Sequence, residues 1–486
     1  MENQKIIISL YVSIFVGLTL YVAKMVFFTI HGDEPWFAEQ AYWLVKDGVV
    51  RSEFFSSVLN YGTQQFAYHK LHIWIAALAI KLFGLSFLVL KIIALSFFCI
   101  FIVISRRYFY IFHEKQAKHI FVVFLAFMFI NTIALEMFFV YRPEIAIMCF
   151  GFISYLFVRK TMYGRVEYSL LAGIFAGLCA LLHLNGVIFI AAGAVLLFAS
   201  KKYQQLMWFC LAAMVVASFY FVDILPHHWS AYWMQFRHDP AIPESKFSVQ
   251  SLLLQIVFEY ERFFGHGYES GYGLLLLAVL IANGKTIWRQ TELRYVLIYF
   301  LALTLVLAAI SPGKKHYYLL FGIPYAGILI SVTLWQAFSH IRNSSRNKIL
   351  TGFAVLYVLA NIPHALAMIN DGREEIPTPR VNTAAMKEFK IHDGDKVLAP
   401  LSFIFNSLEQ VNIHGVDAYF MRARRGMVVF SASTFFHEAK GTDRKFILLD
   451  RWQLQGLKLK PVVGETVHGY TFLGSGHGYY VYKRTF

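Results

Sequence analysis

The chain has 486 residues, of which 58% are hydrophobic, 17% aromatic and only 15% charged. That apolar share excludes a chain whose main solvent is water. The formal net charge of +15 does not point to nucleic acid, because Lys and Arg fall in short clusters between apolar runs rather than on one aromatic-interleaved face.

A helix that crosses a bilayer needs about 20 apolar residues to span roughly 30 Å of hydrocarbon. Ile6 to Ile30 meets that requirement. It is too long for a secretory leader and has no small-residue cleavage site before His31, so it is the first predicted span, with Lys24 snorkelling near its outer end. Leu71 to Phe83 is apolar but short, which predicts an interfacial or half-inserted helix. Further spans are predicted over Ser86 to Ser105, Ile120 to Val140, Ile145 to Val158, Ser169 to Leu182, Gly186 to Phe198, Met207 to Val222, Gly273 to Ala282, Tyr295 to Ile310, Tyr317 to Ala337 and Leu350 to Met368. The total is about eleven spanning helices. Cys99, Cys149, Cys179 and Cys210 lie inside such runs and read as small core hydrophobes, not as a disulfide framework or metal knuckle.

Lys and Arg set the orientation, since short cytoplasmic loops collect them. Arg106, Arg107, Lys115 and Lys118, then Arg159, Lys160 and Arg165, then Lys201 and Lys202, then Lys285, Arg289 and Arg294, and finally Arg342, Arg346 and Lys348 occupy alternate connections. The N-terminus is then cytoplasmic. The opposite face receives the loop 31–70, the corner Tyr141 to Glu144, the segment 223–272, the loop Ser311 to Tyr317 and everything after Met368.

Past Met368 the texture turns polar, with Asp371-Gly372, Pro377, Pro379 and Asp393-Gly394 followed by short alternating apolar runs. The predicted fold is an all-α polytopic membrane bundle over residues 1–368 with a small extracytoplasmic α/β domain over 369–486. A bacterial inner membrane, with that domain in the periplasm, is the expected setting.

Four outer segments could carry chemistry. Asp33 and Glu34 open the first outer loop; they suit the first turn of a helix, and they equally suit a general base held at the membrane surface. Arg142 and Glu144 begin another span on the same face, where an interfacial anchor is the plainer reading. Lys314, Lys315 and His316, followed by Tyr317 and Tyr318, put positive charge on the outer side against the usual tendency, which a phosphate or an anionic lipid head group would explain. His69, Lys70 and His72 precede the short helix, and His183 marks a break between two apolar runs. Interfacial hydrogen bonding is the first reading for the histidine pair and a satisfied polar turn for His183, with a substrate contact by His69, Lys70 or His183 second. No metal-ligand spacing is present, so no metal residues are assigned, and a divalent metal near Asp33 or Glu34 is the one cofactor in view. Trp229, Tyr232, Trp233 and Phe236 outline an amphipathic surface helix.

Gly32-Asp33-Glu34, Lys81-Leu82-Phe83-Gly84, Arg142-Pro143-Glu144 and Lys315-His316-Tyr317-Tyr318-Leu319-Leu320 followed by Pro324 appear in that order. In this the chain resembles the lipid-phosphate-sugar glycosyltransferases of the GT-C fold, especially aminoarabinose transferases and dolichyl-phosphate-mannose protein mannosyltransferases. The resemblance implies inverting transfer of a sugar from a polyprenyl-phosphate donor to a lipid, glycan or protein acceptor, among membrane lipids and without nucleic acid. It further implies that Asp33 acts as the base or positions it, that Glu144 assists, and that Lys314, Lys315 and Tyr317 hold the carrier phosphate. Two features depart from the family: Glu144 stands where an Asp is common, and His69-Lys70 replaces paired prolines. A transporter or lipid flippase is the alternative from another class.

Overall fold

The computed structural model describes residues 2–28, 30–225, 227–238, 248–311, 313–339, 345–371, 379–404 and 408–485. Pro312, Arg342, Gly372 and Pro377 lie outside them. The helices follow the apolar runs. The first is α1 (Glu2–Val26), and the outer loop then folds into α2 (Glu34–Asp47) and an irregular stretch. The short apolar segment forms α3 (Lys70–Phe83), which at 14 residues is about 21 Å long and falls short of a perpendicular crossing.

Then come α4 (Phe87–Phe112), α5 (Ala117–Ile130), α6 (Thr132–Met137), α7 (Pro143–Thr161), α8 (Val166–Leu182), α9 (Val187–Ala199) and α10 (Tyr203–Ser218). The outer segment after them holds α11 (Trp229–His238), α12 (Val249–Val257) and α13 (Tyr260–Phe264), and the bundle closes with α14 (Gly267–Arg289), α15 (Thr291–Ile310), α16 (Ile323–Ser339) and α17 (Ser345–Asp371). Among the described residues, 6 helices are long and apolar enough to cross a membrane by length and composition.

Several boundaries differ from expectation for identifiable reasons. The run Ile120 to Val140 is not one helix. Asn131 breaks it, because its side chain accepts from the Ala134 N–H at 3.0 Å and caps α6. The Thr132 N–H and hydroxyl are taken up by Asn361 at 2.9 and 3.0 Å. The run from Tyr317 opens as a 3-10 turn, His316–Phe321, before α16 begins. Of the cysteines, Cys149 and Cys179 are buried as expected, whereas Cys99 is exposed on the bundle's outer surface.

Small residues allow close helix contact. In α8, Gly173 and Gly177 face α10 so tightly that a Cβ at 173 would lie 2.3 Å from the Phe209 carbonyl oxygen and one at 177 would lie 2.7 Å from that of Ala213.

The tail is α/β, as its texture predicts. A six-stranded mixed sheet runs β2-β1-β3-β6-β5-β4, built from β1 (Lys396–Ala399), β2 (Asn412–Gly415), β3 (Phe446–Leu449), β4 (Thr466–Val467), β5 (Tyr470–Gly476) and β6 (Tyr479–Arg484). One face packs under the helices Val416–Arg424, Ala432–Gly441 and Arg451–Gly456. The other shares a single apolar core with Tyr42, Trp43, Phe54, Phe55, Val58 and Tyr61 of the first outer loop, so loop and tail are one unit. Phe54 is the plug: its ring lies where a Cβ on Gly415 would come within 2.2 Å, and its carbonyl accepts from the Gly415 N–H at 2.9 Å. Gly415→Val is expected to push the tail off the loop at a cost of about 1–3 kcal/mol, measured as accelerated proteolysis after residue 371.

Glu39 in α2 holds that loop in shape. Its carboxylate accepts from the Ser52 hydroxyl at 2.6 Å and from the N–H groups of Glu53 and Phe54 at 2.7 and 3.0 Å. Burial outweighs these bonds and raises its pKa from 4.5 to about 7. The folded protein thus keeps a proton that the unfolded chain would release. This contribution to stability is full below pH 4.5 and is lost as the pH rises to 7, a loss on the order of 3 kcal/mol. Thermal melts should show a higher midpoint at pH 5 than at pH 8.

Candidate functional site

The connections after α1, before α7 and after α15 gather at one end of the bundle, and their polar residues meet there. Arg142, the N-cap residue of α7, is 8% exposed. Its guanidinium grips Glu144 with two bonds, Nε to Oε2 at 3.2 Å and Nη2 to Oε1 at 3.0 Å. Its Nη1 donates to the Asp33 carboxylate. The face of the same guanidinium lies 4.5 Å from the centre of the Tyr317 ring. Three chain segments are thereby locked together by one planar cation with a fixed fork of donors.

The two acids differ in what they can do. Glu144 is fully buried and spent on Arg142. Asp33 is 45% exposed and sits at the N-cap of α2, yet its side chain caps nothing. Helix capping therefore does not account for Asp33. Its oxygens face both Arg142 and the solvent, so it can meet an incoming acceptor.

The histidines form a stack beside this cluster. His69 and His183 rings lie 4.4 Å apart, and His72 lies 4.1 Å from Tyr141. Burial lowers the pKa of His69 far below the ordinary range and that of His183 to about 4. Neutral imidazoles make a polar wall, not a positive one.

Glu34, Lys70 and Lys314, all assigned to chemistry by sequence, are committed elsewhere. Both Glu34 oxygens receive Lys91 at 2.9 and 3.0 Å, and they also receive the N–H groups of Tyr141 at 2.5 Å and His31 at 2.8 Å. Glu34 thus braces α2 against α4 and the Arg142 corner, with no lone pair left for an acceptor. Lys70 is sealed against Asp223 at 2.6 Å, with the Phe66 carbonyl at 2.9 Å. Lys314 reaches Glu259 at 2.8 Å and the Gln255 carbonyl at 2.7 Å. Arg262 closes that knot by donating to Glu259 and to the Lys315 carbonyl. Their positive charge is already matched, so these lysines brace the loops.

Lys315 differs from its neighbour. Its side chain is exposed and has no ion pair among the described residues. His316 turns to Glu136 at 3.0 Å. Tyr318 stands edge-on to His183 at 6.1 Å. A lone Lys91 in the apolar run of α4 was the available signal for the Glu34 pair, since a charge inside such a helix demands a partner.

Among the described residues no group of three or more His, Cys, Asp or Glu side chains is placed to hold a metal ion. Asp33 and Glu144 converge on the Arg142 guanidinium, which stands where a bridging cation would. The site does not fit the divalent metal raised by the sequence, and no step is derived through one.

No protein-family model matches the chain, and no curated protein matches it by sequence. Solved structures do resemble it. ArnT from Cupriavidus metallidurans, seen in the apo state and bound to undecaprenyl phosphate, aligns with a TM-score of 0.62 and 13% identity over 97% of each chain. The Archaeoglobus fulgidus oligosaccharyltransferase in the apo form aligns with a TM-score of 0.51 and 12% identity, over 91% of this chain and 69% of that one. The fold is thus of the GT-C type: a polytopic membrane bundle carrying a small C-terminal α/β domain.

Proposed function

We propose that the chain is a membrane glycosyltransferase that takes a sugar from a polyprenyl-phosphate donor and attaches it to an acceptor on the extracytoplasmic face, with inversion at the anomeric carbon. The observation that carries this reading is the meeting of Asp33, Arg142, Glu144 and Tyr317 at one end of an apolar bundle, with Lys315, exposed and without an ion pair among the described residues, two positions before Tyr317 in the chain. The similar ArnT structure bound to undecaprenyl phosphate supports a lipid carrier as the ligand.

In this mechanism the carrier's tail stays in the bilayer and its phosphate reaches Lys315 and Tyr317. Asp33 removes the acceptor's proton as the acceptor's oxygen or nitrogen attacks the anomeric carbon. The bond from that carbon to the phosphate oxygen breaks, and its electron pair stays on the phosphate. Lys315 stabilises the developing charge. Arg142, fixed by Glu144, holds Asp33 in place.

The test is mass spectrometry of lipids and glycans from cells with and without the protein, followed by reconstitution with polyprenyl-phosphate sugars. A sugar-sized mass difference on an acceptor is expected; identical profiles and no transfer in vesicles would sink the reading. Lys315→Ala should weaken undecaprenyl-phosphate binding about tenfold, on the scale of one charge-assisted hydrogen bond. Lys314→Ala should instead lower the melting temperature.

A further inference from the structure

The α/β tail carries a surface that neither the bundle nor the site explains. Its sheet has the first outer loop on one face and the helices Val416–Arg424, Ala432–Gly441 and Arg451–Gly456 on the other. The outside of that helix layer therefore looks away from the loop and from the cluster around Arg142. Most of it is polar, with Ser433, His437, Lys440, Gln455 and Lys458 exposed, which marks it as a surface in water.

One patch of this layer breaks the pattern. Val429 is 73% exposed, Trp452 56%, Met427 53% and Phe430 47%. The half-buried Phe420 joins them, its ring centre 5.2 Å from that of Phe430 and 5.1 Å from that of Trp452. Two helices and the loop after the first of them thus supply a single apolar surface. Exposed apolar side chains on the bundle need no partner, because hydrocarbon surrounds them. In water, a contiguous patch of this kind marks an interaction site.

The rim says what kind of partner fits. Arg424 lies one turn beyond Phe420 on the same helix face, and Arg451 precedes Trp452. Both arginines are exposed and make no ion pair among the described residues. Glu438, on the neighbouring helix, is already taken by Arg422. The rim is therefore basic. Aromatic rings, Met and Arg are the residues that make the centres of protein–protein contacts. Val429, the most exposed of the group, has no ring on which a sugar could stack. A twofold pairing of two copies would set the arginines of one against those of the other, and like charges across an interface repel.

We propose that Met427, Val429, Phe430 and Trp452, rimmed by Arg424 and Arg451, form a docking surface for another protein whose contact face is apolar at its centre and acidic at its rim. The tail then has a role besides covering the first loop: it tethers that protein to the membrane in which the bundle sits. This does not depend on the transferase reading.

The experiment replaces Val429, and in a second variant Met427, by the photocrosslinker p-benzoylphenylalanine in the full chain, and illuminates the native cells. Both positions should give an adduct with one other protein, joined through a stretch that contains Asp or Glu. Arg424→Glu combined with Arg451→Glu should lower the adduct about tenfold or more, since like charges then face each other. Lys440→Glu combined with Lys483→Glu makes the same change in net charge away from the patch and should leave the adduct unchanged. An adduct between two copies of this chain, an adduct with lipid or glycan, an adduct indifferent to the arginine reversal, or no adduct at either position would overturn the proposal.

Discussion

Asp33→Asn is expected to give a folded, membrane-inserted protein that transfers sugar about a thousandfold more slowly, or not at all. A positioned general base contributes roughly 10²- to 10⁴-fold to rate, and an amide cannot accept the acceptor's proton. Folding should survive because Asp33 is 45% exposed and caps no backbone group. Asparagine can still receive one bond from Arg142, which keeps its grip on Glu144. Undecaprenyl-phosphate binding by the variant should match wild type, while single-turnover transfer is lost. Transfer at the normal rate would remove Asp33 from the mechanism.

Glu34→Gln is expected to act on stability instead. The variant leaves the Lys91 ammonium, 1% exposed, beside a neutral amide. Removing one partner of a buried ion pair costs about 3–5 kcal/mol, mainly because the other charge stays buried and unmatched. The melting temperature in detergent should fall sharply, and transfer should fall with it, because the Tyr141 N–H that positions Arg142 loses its carboxylate. Adding Lys91→Met removes the stranded charge, so the double variant should regain most of the lost stability. Were Glu34→Gln alone as stable as wild type, Glu34 would not be the brace described above.

These two adjacent acids show how far sequence reading reaches. Both stand at the start of one helix, and composition gives no ground for separating them. Their roles diverge because successive residues of a helix point about 100° apart. Asp33 turns to Arg142 and solvent, and Glu34 turns inward to Lys91. The same limit applies to Lys314 and Lys315, of which the first is tied down by Glu259 and the second has no ion pair among the described residues. The Glu259–Arg262 pair sits about fifty residues upstream in a segment whose placement no local pattern gives.

The amino-acid sequence alone determined that the chain is a polytopic helical membrane protein with an α/β tail, because hydrocarbon thickness and strand periodicity are read from short windows of residues. It also pointed to polar segments that the alternation of Lys and Arg with the spans puts on one face. Only the tertiary structure decided which of those groups are spent on one another, that the tail and first loop share a core around Phe54, and that Asn131 splits a span. The reason is physical: ion pairs such as Arg142 with Asp33, or His316 with Glu136, join residues more than a hundred positions apart. Whether a buried charge is a tool or a strut depends on the partner the fold brings to it.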